Sequence, residues 1–351
     1  MTVKIILHRV LGILLVCMLI GVSPTHGGPL FDETEPLQLT LTGPFKAMFR
    51  NADGKMEYPG QLSFAGDSGD VVTVDVQIRT RGISRRHKNV CRFPPLKIRF
   101  DKTQTKDTVF RGQESIKLVT HCNPGGRYQQ YYAKEYLVYR TYNLLTPLSF
   151  QVRRATMNYH YNDSKKQVLE NFGFFIEDVD DVAKRNDLKE IVIGDINKGR
   201  LDPKTADRYA LFQHMMGNLD WSFLSGPDPN ECCHNTKLLG KREPGELLYP
   251  VPYDFDASGM VDTHYSIPPE NLNVTRVTQR LYRGFCTHQE HLPEHLAQFR
   301  DLREEIYATM VEDPLLIKNT QAKTRRYMDA FYAIIDDPKQ LAKKIEGKCR
   351  G

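Results

Sequence analysis

Two carboxylates flank one phenylalanine in "YPVPYDFDASG", residues 249–259, directly after a strand-like apolar stretch. Asp254 and Asp256 are hard to explain there as turn chemistry alone, although Asp256 also suits an Asx turn. Upstream, "GNLDWSFLSGPDPNECCHN" places Asp220 fifteen residues before Asn235. Further upstream, residues 79–102 hold nine basic side chains against the single acid Asp101, with Arg79, Arg81 and Ser84 around the "RTRGIS" turn and Lys97 in "PPLKIRF". A phosphate cradle, a strand lysine, an aspartate with a downstream asparagine, and a second aspartate after a strand are the parts that phosphoryl transfer requires. The cations hold non-reacting phosphates and Asp220 orients an incoming hydroxyl. Asn235, Asp254 and Asp256 supply the oxygen ligands that Mg²⁺ or Mn²⁺ prefers.

Each residue also has a plainer reading. A lone loop aspartate such as Asp220 is often an N-cap or turn residue. Arg85, Arg86 and Lys88 read as a solvated face of the basic run, and Trp221 as a packing anchor for its loop. His291 and His295 are spaced to share a helix face, but with no third ligand in sight they read as an exposed helix start.

Elements must position these groups. "VVTVDVQIRTRG", "PPLKIRF" and "ESIKLVTHC" read as strands by their alternation, and "FQVRRATMNYHYN" and "ENFGFFIEDV" as two more. Between them, residues 127–145 have helical spacing in Tyr132, Tyr136 and Tyr139 and carry Glu135. Beyond 180 the pattern turns helical, with "DPKTADRYALFQHMMGNL", "LPEHLAQFRDLREEIYATMV" and "IKNTQAKTRRYMDAFYAII". The expected layout is α+β. Residues 28–70 form a leading strand-rich segment, 71–180 a strand-rich lobe that clamps a nucleotide, and 181–351 a helical lobe carrying the catalytic and metal-binding loops. The boundary falls near 178–187.

The 351 residues are 40% hydrophobic and 26% charged, which excludes a disordered chain. Lys4 and Arg9 precede thirteen apolar residues, Val10–Val22, too few for the roughly 20 that a bilayer helix needs, so residues 1–27 read as a cleaved signal peptide and no stable membrane anchor remains. Lys4 and Arg9 account for two of the five net positive charges, and the remainder is too mild to imply nucleic acid. Cleavage would leave six cysteines, an even number that favours disulfides over zinc because no CxxC pair occurs; their connectivity is open. Asn162 and Asn273 head glycosylation sequons that matter only in a eukaryotic host.

Taken in order, "IRTRGIS", "PPLKIRF", "FGFFIEDVD", "GNLDWS" followed by "HNTKLL", and "YPVPYDFDASG" resemble the spore-coat-protein-H (CotH) family of atypical secreted kinases, over about Val74–Gly259. The resemblance implies a protein-kinase-like, two-lobed fold with ATP between a strand-rich N-terminal lobe and a helical C-terminal lobe. It implies Asp220 as the catalytic aspartate, Asn235 and Asp254 as metal ligands, and Arg79, Arg81 and Ser84 at the phosphates. Lys97 stands as the strand lysine, with Lys88 and Arg99 as alternatives, Glu135 as its helix partner and Glu177 near the adenine. The chain departs from that pattern at "NVCRFPP", which separates the Arg-Gly turn from its strand, and at "NPGGRYQQ", where an acidic residue is expected before the helix. The expected activity is transfer of the γ-phosphoryl group of ATP to a hydroxyl, of Ser or Thr in an exported protein, in a secreted, periplasmic or secretory-lumen setting. The alternatives are an extracellular or coat-assembly binding protein with a degenerate site, and a kinase for a small molecule or sugar.

Overall fold

The computed structural model describes residues 29–351 except 67, 229 and 244. The signal-peptide reading of residues 1–27 lies outside the described residues. Seven strands, β1 (Leu37–Gly43), β2 (Tyr58–Ala65), β3 (Val71–Thr80), β4 (Leu96–Phe100), β5 (Ser115–Val119), β6 (Val152–Tyr161) and β7 (Gln167–Ile176), close into a barrel in the order β1-β2-β3-β4-β5-β7-β6. All neighbours are antiparallel except the closing pair, where β1 runs parallel to β6 from Leu37 opposite Ala155 to Gly43 opposite Tyr161. Alternation puts one face of each strand inside. Leu39, Leu62, Val76, Ile78, Leu96, Ile98, Ile116, Leu118, Met157 and Phe175 fill the interior. Gly60 is required where β1, β2 and β3 meet, because a Cβ there would lie 2.4 Å from Ile78 Cδ1 and 2.6 Å from the Thr42 carbonyl.

The helices are α1 (Phe45–Arg50), α2 (Gly126–Leu145), α3 (Val179–Arg185), α4 (Pro203–Met216), α5 (Leu292–Asp301), α6 (Arg303–Met310), α7 (Lys318–Asp336) and α8 (Pro338–Lys344). A second sheet, β10-β9-β8, joins β8 (Lys189–Glu190), β9 (Thr236–Gly240) and β10 (Tyr249–Pro252). The helical stretch 292–311 breaks at Leu302, which leaves the helical region, and so gives two helices where the periodicity suggests one.

These findings overturn the kinase-like, two-lobed fold. The leading segment 28–70 supplies β1 and β2, two staves without which the sheet could not close, and closure removes the open edges of a separate strand lobe. The division into layers fails as well. One apolar core runs from Val119, Val152, Phe172, Phe174 and Ile176 on the barrel through α2 and α4 to Phe331 on α7, and the second sheet sits among the helices. Helix α2 explains this continuity: twelve of its twenty residues are buried, so it is covered on several sides by barrel strands and helices at once. The six cysteines stand in three bonded pairs, Cys91–Cys122, Cys286–Cys349 and the adjacent Cys232–Cys233. No helix among the described residues is long and apolar enough to cross a membrane.

Candidate functional site

The centre of the site is a residue that composition places on a solvated face. Arg85 lies in the 3-10 turn Ser84–Arg86 after β3 and is buried. Its guanidinium reaches Glu135 on α2 at 3.3 and 3.4 Å, Asp254 at 3.1 Å and, through Nε, Asp256 at 3.0 Å. The solvated-face reading of Arg85 is therefore corrected, while Lys88 is exposed. A carboxyl buried in a tyrosine-rich helix needs a polar partner, and Glu135 was the available signal that a nearby arginine could turn inward.

Three carboxylates share one guanidinium, so the centre carries excess negative charge. Burial raises the Glu135 carboxyl well above its usual range against the pull of Arg85, with Asp256 and Asp254 adding to the rise. Burial and then the Asp256 charge raise Asp254. Glu135, Tyr265, Asp256 and Asp254 hold Arg85 charged despite its burial. Tyr265 donates to Asp256 Oδ2 at 2.8 Å, and the Asp254 amide donates to Tyr139 Oη at 2.9 Å.

Asp220 and Asn235 sit beside this centre. Helix α4 ends at Gly217, whose φ of +60° is left-handed and whose Cβ, if present, would lie 1.9 Å from Tyr327 Oη; only glycine suits the turn that releases Asn218–Asp220. Asn235 Nδ2 donates to Asp220 Oδ2 at 3.0 Å and to its carbonyl at 2.7 Å, and His234 Nε2 lies 2.6 Å from Asp220 Oδ1. The Asp220 hydrogen bond raises the His234 pKa. Asp220 and His234 are 42% and 38% exposed, so the pair opens to solvent. The Tyr253 amide donates to the Asn235 carbonyl at 3.1 Å, which ties Asn235 to Asp254 across the β9–β10 ladder. Asn235 and Asp254 both hold positive φ, +48° and +58°, at a cost of roughly 1–3 kcal/mol each. Trp221 is buried, donates to the Asn218 carbonyl at 2.9 Å and lies under Arg283, which agrees with its reading as a packing anchor.

The barrel contributes cations. Arg79, Lys97 and Lys117 are cross-strand neighbours on the outer face of β3, β4 and β5, and none has a carboxylate within ion-pair distance among the described residues. Burial lowers Lys97, as do Arg79 and Lys117, against Asp178. Lys117 is pushed down to about 8, first by burial and then by Arg81 and Lys237, with Asp178 opposing. Lys117 stands 5.2 Å from the Tyr253 ring and Arg81 donates to Tyr253 Oη, so the row ends next to Asp254. Lys117 was legible only once strand register was known. Arg99, two residues along β4 from Lys97, pairs with Glu57 at 2.5 Å, and the charges of Arg79 and Lys97 also act on that carboxylate. Ser84 is exposed at the start of the turn that carries Arg85.

Glu177 follows Ile176, the cross-strand partner of Lys117, but its carboxylate is committed to an arginine. It is fully buried at the end of β7, bonded to Arg185 at 2.9 and 3.0 Å and accepting from the Gln151 amide at 2.8 Å, so its carboxylate is spent on the fold. His295 is buried with Nδ1 2.7 Å from Asp207, not at an exposed helix start. Among the described residues no group of three or more His, Cys, Asp or Glu is arranged to hold a metal ion. Asn235 Oδ1 and Asp254 Oδ2 are each left uncommitted by the hydrogen bonds above; magnesium sites commonly add phosphate oxygens and water to one or two protein ligands. Comparison of the chain with protein-family models, curated proteins and solved structures gives no match.

Proposed function

We propose that the chain is a phosphotransferase that moves the γ-phosphoryl group of ATP to a hydroxyl, with Ser or Thr of an exported protein as acceptor. The observation that carries this reading is the row Arg79–Lys97–Lys117, with Arg81, ending beside an acid centre that holds more negative charge than Arg85 balances. Polyphosphate is the anion that fits such a row, and its terminal phosphorus would lie toward Asp254 and Asp220.

Arg79, Lys97 and Lys117 bind the non-reacting phosphates. Asp220, fixed by His234 and Asn235, accepts the hydroxyl proton as the acceptor oxygen bonds to the γ-phosphorus and the bond to the bridging oxygen breaks, leaving ADP with the electron pair. Asn235 and Asp254 would hold Mg²⁺ or Mn²⁺, which when bound offsets the charge on the phosphates. Arg85 holds Asp254 and Asp256 in place and links them to α2 through Glu135. The resemblance to the spore-coat family supports the chemistry through these residues, without its fold. Export supports itself on the three cysteine pairs.

One observation favours a second reading, a surface or coat-assembly binding protein: Arg85 occupies the place between Glu135, Asp254 and Asp256 where a cation would otherwise sit. Transfer of label from γ-labelled ATP by the oxidised chain with Mg²⁺ or Mn²⁺, beside Asp220→Ala, decides between them. Label incorporated by the parent and lost in the variant supports the enzyme. Metal-independent failure to bind or transfer with any generic acceptor supports the binding protein.

A further inference from the structure

A cationic cavity adjoins the loop that carries the acids. It has a volume of about 470 Å³, and Gly259, five residues after Asp254, forms part of its wall. Four cations line it: Arg280, whose guanidinium is spent on the Met215 and Tyr327 carbonyls, and Lys134 of α2 with Lys323 and Arg326 of α7, beside Thr278 and Thr324 and a single acid, Asp262. Lys134, Lys323 and Arg326 form no ion pair and no side-chain hydrogen bond among the described residues; Lys134 has only the Tyr131 ring at 5.8 Å. Their neighbours behave differently. Arg325 on the same helix pairs with Glu312 at 2.8 Å, and Arg303 pairs with Asp336 at 2.7 Å. Where this part of the chain uses cations to hold helices together, it supplies them with acids, or with the carbonyls that Arg280 reaches on α4 and α7.

Half-buried Lys134 shows the cost of leaving them without. Burial pushes its pKa down to about 8, Lys323 adds to that and Asp262 opposes it. Three positive groups without a partner and two threonine hydroxyls around a cavity of this size match a tetrahedral oxyanion better than a planar carboxylate, which offers fewer oxygens to converging donors.

We propose that this cavity binds a phosphate-class dianion, free or carried on a phosphorylated residue of a partner. Bound there, the anion joins Lys134, one residue from Glu135, to the 254–262 loop and to α7. It thereby ties α7 to the two elements that hold the Arg85 centre, α2 through Glu135 and the loop through Asp254 and Asp256. This inference stands apart from phosphoryl transfer, because its test reads binding without turnover.

The test is amide hydrogen exchange of the full oxidised chain with inorganic phosphate against chloride at matched ionic strength. A ligand at tenfold excess over its Kd slows exchange through openings that destroy its site by about tenfold. That slowing is expected at 258–263 and 318–330. It should persist in a Lys97→Ala/Lys117→Ala variant, which removes the barrel row, and vanish in Lys323→Ala/Arg326→Ala, whose side chains are exposed and unpaired. A phosphoserine peptide that protects the same segments at tenfold lower concentration assigns the anion to a partner; equal potency assigns it to the free ion. Protection confined to the barrel strands, equal protection in Lys323→Ala/Arg326→Ala, or none in any arm overturns the proposal.

Discussion

Arg85–Glu135 and Arg185–Glu177 are both buried arginine–glutamate pairs that join a helix or turn to the barrel, yet they are built to opposite ends. Around Glu177 the accounting closes: one cation, one anion, contacts of 2.9 and 3.0 Å, a backbone amide from Gln151, and arginine nitrogens spent on the Pro147 and Ser149 carbonyls. Around Arg85 it stays open. Its contacts are 3.0–3.4 Å long, three acids compete for it, and Asp254 beside it is held at positive φ. A neutral, saturated pair is costly to break, whereas an overcharged and strained one is poised to receive a cation or an anionic ligand with its counterion.

Removing one partner should separate the two pairs most sharply. Asp254→Ala is expected to lower the rate of γ-phosphoryl transfer by about 10²-fold or more, a usual consequence of deleting a group that stabilises transition-state charge. Its melting temperature should stay near or above the parent's, because one of three competing acids has gone. Glu177→Ala should do the reverse. It strands Arg185 inside the protein and costs about 3 kcal/mol in denaturant unfolding, with the rate per folded molecule unchanged.

A smaller effect sharpens the charge argument. The folded chain keeps a proton on Glu135 that the unfolded chain gives up above about pH 4.5, its ordinary value. The contribution of this group is therefore complete below that pH and is lost as pH rises through the raised folded value. Glu135→Gln should flatten the fall in stability with rising pH, measured by urea unfolding at successive pH values; an unchanged slope would place the excess charge elsewhere. Lys117→Met tests the barrel side. Loss of one charge-assisted contact worth about 1.5–3 kcal/mol predicts roughly tenfold or greater weakening of ATP binding by calorimetry, with little change in stability.

The strands were legible from local alternation, and the acids from their place after a strand and a helix. Barrel closure was not legible. "LQLTLTG" has the same alternation whether it lies at an edge or pairs with Val152–Tyr161 more than a hundred residues away, and only that parallel pairing converts an open sheet into a barrel. Arg85 was hidden for a related reason: its burial depends on Glu135, Asp254 and Asp256, drawn from two distant segments, while Ser84, His87 and Lys88 around it are exposed. Glu177 misled because an acid at a strand end looks alike whether it faces a ligand or an arginine eight residues on.

The most direct test of the open Arg85 centre is the initial rate of γ-label transfer by Asp254→Ala beside the parent, at saturating ATP and Mg²⁺ and with melting curves on the same samples. The account predicts a rate lost to background in a variant that melts no lower than the parent. Parental rates in a folded Asp254→Ala would contradict it.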